Sequence, residues 1–248
     1  MSSPFATVPI LGVPIACVAT HDILGLVAAW AAASQPRTIT YVNAHCLNVA
    51  AATPAYHAVL QQADLVYPDG ISVVWASRVL GGRGMAKSTG ADWIDTFCHL
   101  AVRHGWRIYL LAGKPDIAQR ARANLVARMP ALQIVGVCDG YFQMQSEAEV
   151  LAEIARTQPH VVFVGMGTPR QELWVAEHRA ALATPICWSV GALFDYVAGA
   201  EPRAPAWMNA LALEWLWRLL VDPRGKWKRY VLGNPLFVLR FLRQLGRG

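Results

Sequence analysis

The chain has 248 residues, enough for one substantial hydrophobic core or two small ones sharing an interface. Its 55% hydrophobic and 15% charged residues exclude a disordered protein, yet no apolar run reaches the roughly 20 residues needed to span a bilayer, the longest being interrupted by Asp22, Arg37 or Asp195. The net charge of +6 is uneven: from Arg203 onward nine Lys and Arg face only Glu214 and Asp222, a local +7, so residues 1–202 sum to −1 and a body-wide nucleic-acid surface is not expected.

Before Arg37 there is no Lys or Arg, so the charged front of a secretory signal is absent and a cytosolic chain is expected. Cys17, Cys46, Cys98, Cys138 and Cys187 lie far apart with no CxxC pair, which argues against a zinc site or a disulfide framework.

A helical pattern over Ile23–Ala33 is followed by a strand, Thr38–Val42, ending in Tyr41-Val-Asn43-Ala-His45. Asn43 stands where it can cap the next helix, Ala44–Gln61, or bond sugar hydroxyls through its donor and acceptor; Pro54 must break or kink that helix. A short strand, Leu65–Tyr67, leads into Pro68-Asp69-Gly70 and a helix over Ile71–Leu80. Asp69 there is either ordinary turn chemistry or a strand-end carboxylate exposed as a general base, and if the two strands pair, Tyr41, Asn43 and Asp69 line one crevice.

Beyond the loop at residues 81–84 come a helix, Ala91–His104, a strand, Arg107–Ala112, with a turn at Gly113, a helix, Ile117–Arg128, a strand, Leu132–Val137, and a helix, Glu147–Arg156. The β-branched and aromatic run Val161–Val164 suits a strand covered on both faces. It opens through Gly165 and Gly167 into a helix start at which Thr168 can act as N-cap, Pro169 as first helical residue and Gln171 as capping-box partner. Such a junction suits either simple capping or binding of a phosphate at the free N–H groups. The helix Glu172–Leu182 and a strand, Ile186–Val190, follow, with a fourth turn around Asp195. The dinucleotide fingerprint fails at its last glycine, the Walker pattern is missing and no Asp-x-Asp pair is present to hold a divalent metal on a diphosphate, so helix N-termini and arginines would have to neutralise one.

The alternation implies a largely parallel α/β sheet with flanking helices over residues 1–199, and the texture changes after Gly199. Ala204–Val221 reads as an amphipathic helix carrying Trp207, Trp215 and Trp217, and Lys226–Tyr230 with Pro235–Leu245 as further helix mixing basic and aromatic residues. Residues 200–248 are thus read as a basic appendage, suited to an anionic membrane surface or, for Trp207 and Trp215, to packing on the body.

Together the motifs resemble the bacterial WecG/TagA/CpsF glycosyltransferases, with the GumM-type enzymes among them. The ordered matches are Asn-Ala-His at 43–45, Ala-Asp-Leu-Val-Tyr-Pro-Asp-Gly at 63–70, Thr-Gly-Ala-Asp at 89–92 and Tyr-Leu-Leu-Ala-Gly-Lys-Pro at 109–115. They continue with Asp-Gly-Tyr-Phe at 139–142, Val-Gly-Met-Gly-Thr-Pro-Arg-Gln-Glu at 164–172, Val-Gly-Ala-Leu-Phe-Asp at 190–195, Arg-Ala-Pro at 203–205 and Glu-Trp-Leu-Trp-Arg at 214–218.

The resemblance implies a Rossmann-like body with a C-terminal appendage meeting the membrane, and an inverting transfer, without metal or other cofactor, from a UDP-sugar to an undecaprenyl-diphosphate-linked saccharide. It places the protein peripherally at the cytoplasmic face of the bacterial inner membrane. Asp69 matches the catalytic base, and Asn43 and Gln171 match positions lining the sugar pocket. Tyr41 stands where the teichoic-acid enzymes carry threonine and Lys87 where many relatives have arginine, so donor sugar and acceptor cannot be copied from them. Gly113, Gly165, Gly167, Thr168 and Pro169 are expected to cradle the nucleotide, Asp195 to face its base or ribose, and Arg218 and Arg229 to meet diphosphate groups. The rival readings are a dinucleotide enzyme of another class, disfavoured by the broken fingerprint, and a non-catalytic membrane-surface module driven by the basic tail.

Overall fold

A computed structural model describes residues 4–33, 36–142 and 144–246; Arg247, counted in the basic tail, lies outside them. Its centre is a six-stranded, all-parallel sheet. An N-terminal hairpin, β1 (Thr7–Ile10) and β2 (Val13–Ala16), precedes α1 (Thr20–Ala31). The body continues with β3 (Arg37–Val42), α2 (Ala44–Ala52), α3 (Pro54–Gln62), β4 (Leu65–Pro68), α4 (Ile71–Val79), α5 (Gly90–His104) and β5 (Arg107–Ala112). After α6 (Ile117–Arg128) come β6 (Gln133–Cys138), α7 (Met144–Thr157), β7 (Val161–Gly165), α8 (Arg170–Leu182), β8 (Ile186–Ser189) and α9 (Leu193–Val197). Strand order is β4-β3-β8-β7-β5-β6: the chain builds outward from β3, crosses to β5 and β6, and fills the middle with β7 and β8. This is the Rossmann-like α/β architecture, in which ligands bind beyond the carboxyl ends of the strands where the winding direction reverses.

Period-two alternation assigns the strand side chains to two faces. Val161 and Phe163 turn to one face with Trp188, Trp93 and Phe97, the Trp93 and Trp188 rings stacking at 4.3 Å, under α1, α5, α6 and α9. Val162 and Val164 turn to the other, against Trp174, Val175 and Ile154 of α7 and α8. The hairpin, α2, α3 and α4 close a third cluster beside β3 and β4. At the amino ends, buried Asp64 accepts from Arg37 and Arg179 at 2.9 Å each and from the Thr38 N–H at 2.8 Å, clamping β3, β4 and α8 together.

The structure adds one element, settles a second and divides a third. The hairpin precedes the first element read from the sequence, and its Pro9 and Pro14 face one another across a two-stranded edge that tolerates them. Pro54 breaks the second helix outright, into α2 and α3. The expected single helix Ala204–Val221 is two, α10 (Ala206–Ala210) and α11 (Glu214–Val221), divided at Ala212, whose φ of 59° lies in the left-handed region. The tail then runs through α12 (Pro223–Trp227), a π-helical turn at Lys228–Leu232 and α13 (Gly233–Leu245).

Helix α13 packs on the body: Phe237 and Phe241 are buried in the cluster of α2 and the hairpin, Arg240 donates to the Asn48 carbonyl at 2.8 Å, and Gln244 bonds Leu11 N–H and Pro9 C=O. Among the described residues no helix is long and apolar enough to cross a membrane.

Candidate active site

Parallel pairing of β3 with β4 sets Tyr41 opposite Tyr67 and Val42 opposite Pro68, so the next residues on each strand, Asn43 and Asp69, emerge side by side. The Asp69 N–H donates to the Val42 carbonyl at 2.9 Å, and Asn43 Nδ2 donates to Asp69 Oδ2 at 3.1 Å. Asn43 Oδ1 meanwhile accepts from the N–H groups of His45 and Cys46, so Asn43 is both N-cap of α2 and holder of the carboxylate. Gly70 permits the approach, since a Cβ there would lie 3.1 Å from Asn43 Cβ.

A groove of about 420 Å³ opens in front of this pair, with Asn43, Asp69, Lys87, Arg218 and Arg229 at its polar part. Glu214 spans two of the cations: Lys87 Nζ lies 3.2 Å from one oxygen and Arg218 Nη2 2.5 Å from the other. Burial opposes Glu214's charge, but Arg218 and Lys87 outweigh it and hold the carboxyl below its usual range. Arg218 also lies over the Tyr196 ring, and the Nε of Arg229 is buried with no hydrogen-bond partner among the described residues. Burial pushes the Asp69 carboxyl above the usual carboxylate range, against the pull of Arg218 and the Asn43 hydrogen bond. His45, also lining the groove, is lowered to about 4 by burial and by Arg229 and Lys226, so its imidazole is neutral near pH 7.

A smaller space of about 60 Å³ shares Asn43, Asp69, Arg218 and Arg229 with the groove and reaches Tyr41, Thr89 and Tyr196. The Tyr41 hydroxyl abuts Gly191, where a Cβ would come within 2.3 Å of it. Burial, with Cys46, Glu172 and Asp69, drives the Tyr41 phenol well above its ordinary pKa; it stays protonated and can donate a hydrogen bond but cannot serve as a base.

Other predicted residues lie elsewhere. Gln171 is fully buried: its Oε1 accepts from the Gly191 N–H at 3.0 Å and its Nε2 donates to Glu172 Oε1 at 2.6 Å, so it completes no capping box, and it lines neither of the two spaces. It braces the β8–α9 turn. Thr168 is not an N-cap; Pro169 occupies that position, the Thr168–Pro169 peptide is cis, and the Thr168 hydroxyl donates to Glu172 Oε1. Gly113 and Gly165 serve close packing, since Cβ atoms there would meet Ile117 and the Gly191 carbonyl, whereas Gly167 is exposed. None of these, nor Asp195, lines either space.

Sequence reasoning missed Glu214 as a site residue, though its i,i+4 spacing to Arg218 was a signal, and missed Glu172, a buried carboxyl pushed up to about 7 by burial. Among the described residues no three His, Cys, Asp or Glu side chains converge to hold a metal ion.

A desolvated carboxylate and two guanidinium groups beyond the ends of parallel strands stand where α/β folds bind their ligands. The model of the Glycosyl transferase WecG/TagA/CpsF family matches residues 8–248, and the chain belongs to that family. It is 32% identical over 206 residues to the N-acetylglucosaminyldiphosphoundecaprenol N-acetyl-beta-D-mannosaminyltransferase of Bacillus subtilis (strain 168), covering 83% of this chain and 79% of the relative. The enzyme of the same name from Bacillus spizizenii (strain ATCC 23059 / NRRL B-14472 / W23) is 30% identical over 190 residues, 77% of this chain and 72% of the relative.

Proposed function

We propose that this glycosyltransferase moves a sugar from a UDP-sugar to an undecaprenyl-diphosphate-linked saccharide, with inversion and without a metal ion. The observation that carries the reading is the Asn43–Asp69 pair opening into a groove lined by Arg218 and Arg229. The relatives' names, which specify a saccharide on diphosphoundecaprenol as acceptor, support the lipid-linked substrate.

In this mechanism Asp69 takes the proton of the acceptor hydroxyl as that oxygen attacks the anomeric carbon. The bond from that carbon to UDP breaks, its electron pair leaving with the diphosphate, and one displacement inverts the centre. Asn43 aims the carboxylate, and burial makes it a stronger base than a solvated aspartate. Arg218 and Arg229 meet diphosphate charge with fixed donors, a role that charge-assisted, bidentate guanidinium groups fill well. Tyr41 donates to a sugar or acceptor oxygen. Gly113, Gly165, Gly167, Thr168, Pro169 and Asp195 remain proposed for the nucleotide on the strand-end rim beside the two spaces.

Exposed Trp207, Leu220, Val221, Trp227 and Leu242 accompany exposed Arg224, Lys228 and Arg243 on the tail, which supports docking on the anionic inner face of the cytoplasmic membrane. The test of the mechanism is the anomeric configuration of the product. Inversion relative to the UDP-sugar is expected; retention would require a covalent or front-face route and overturn the single displacement.

A further inference from the structure

The polar residues account for only part of the groove's lining. The rest is walled by Ile71, Trp75 and Val79 of α4 and by Phe237, Val238 and Phe241 of α13. Ile71, Trp75 and Val79 recur every four residues, and Asn234, Phe237, Val238 and Phe241 follow the i, i+3, i+4, i+7 pattern, so each helix turns one continuous stripe into the groove. Such stripes normally disappear into a core. Here Trp75 is 56%, Val79 62% and Val238 52% exposed, although the same helices bury Val73, Val74, Phe237 and Phe241. An apolar stripe left open beside a charged site marks a surface kept for an apolar ligand.

We infer that this apolar half of the groove holds the first isoprene units of the acceptor's prenyl chain, so that the enzyme grips the lipid itself as well as its head. The inference rests on the lipid-linked acceptor proposed above. Two features select this occupant over a peptide or a second copy of the chain. The apolar walls of α4 and α13 line the same groove as Arg218, Arg229 and Asp69, so one molecule with an apolar tail, a diphosphate and a saccharide can meet all three. Among the described residues the Nε of Arg229, which lines the groove, is buried without a hydrogen-bond partner, as a donor awaiting an anion would be. Because α13 is pinned to the body by Arg240 and Gln244, the wall is preformed.

The test uses the full chain and farnesyl diphosphate below its micelle concentration, followed by the fluorescence of Trp75 and Trp215, which both line the groove. Farnesyl diphosphate should bind at least about ten-fold more tightly than inorganic diphosphate, because burying even a few methylene groups supplies that factor. Val79→Asp and Val238→Asp, both at exposed positions whose change should leave the melting temperature unaltered, should each erase most of that advantage while inorganic diphosphate binds as before. Equal binding of the two probes to the native chain, or farnesyl diphosphate binding untouched in both variants, would overturn the assignment. Transfer to a polyprenyl-diphosphate saccharide is measured in parallel. Prenyl-dependent binding without transfer would refute the acceptor reading and leave the groove assignment standing; transfer with variants indistinguishable from the native chain in both assays would do the reverse.

Discussion

Replacing Asp69 by Asn isolates the proton acceptor, because every contact that places the residue survives the change. The Asp69 N–H bond to Val42 and the Thr89 hydroxyl bond at 3.3 Å use backbone atoms, and Asn43 Nδ2 can donate to an amide oxygen as it does to the carboxylate at 3.1 Å. The structural cost is therefore at most about 1 kcal/mol, the worth of weakening one hydrogen bond. It is offset by removing a carboxylate whose burial disfavours its charge, so the melting temperature should not fall. Turnover should fall about 10²–10⁴-fold, roughly 3–5 kcal/mol of barrier, while UDP affinity holds. The native acid limb should fall as pH drops through the Asp69 pKa, which lies above that of a solvated aspartate, and the variant should lack that limb. Native turnover in the variant, or activity lost only in step with stability, would refute the general-base assignment.

Tyr41→Phe should lower kcat/KM by roughly 0.5–3 kcal/mol of transition-state binding; unchanged kinetics would reduce Tyr41 to packing against Gly191. Turnover should survive EDTA, and abolition restored by magnesium or manganese would redirect attention to Asp64, Asp92 or Asp195. Glu172 is pushed up to about 7, so its contribution to folding is fully present below its unfolded value of 4.5 and is lost as pH rises through 7; urea melts between pH 5 and 8 should show that loss, and Glu172→Gln should flatten it. The full chain should co-sediment with anionic vesicles and release as salt rises, with Arg224→Glu, Lys228→Glu and Arg243→Glu each weakening binding by about 1 kcal/mol or more; no binding even at low salt would leave the tail a purely structural element.

Much of the sheet was legible because strands buried on both faces, such as Val161–Gly165, read as unbroken apolar runs bounded by turns. The crevice followed from topology: the parallel register of two strands separated by α2 and α3 brought Asn43 and Asp69 together. What sequence could not separate was capping from catalysis, since Asn43 does one through its oxygen and serves the other through its amide. Gln171 misled because a polar residue at a helix start fits a capping box, whereas its partner, the Gly191 N–H, comes from a turn after another strand. Glu214 was hidden for the same reason: its link to Lys87 spans 127 residues of sequence. The break at Ala212 was illegible because the left-handed turn falls on an alanine, the best helix former.

The central claim is tested most directly by incubating the native chain with a polyprenyl-diphosphate saccharide and a panel of UDP-sugars and weighing the acceptor by mass spectrometry. The expected result is a gain of one sugar residue from one donor, with stoichiometric release of UDP and none with Asp69→Asn on the same timescale. An acceptor mass unchanged by every UDP-sugar, with product formed instead from another class of donor or acceptor, would contradict the account.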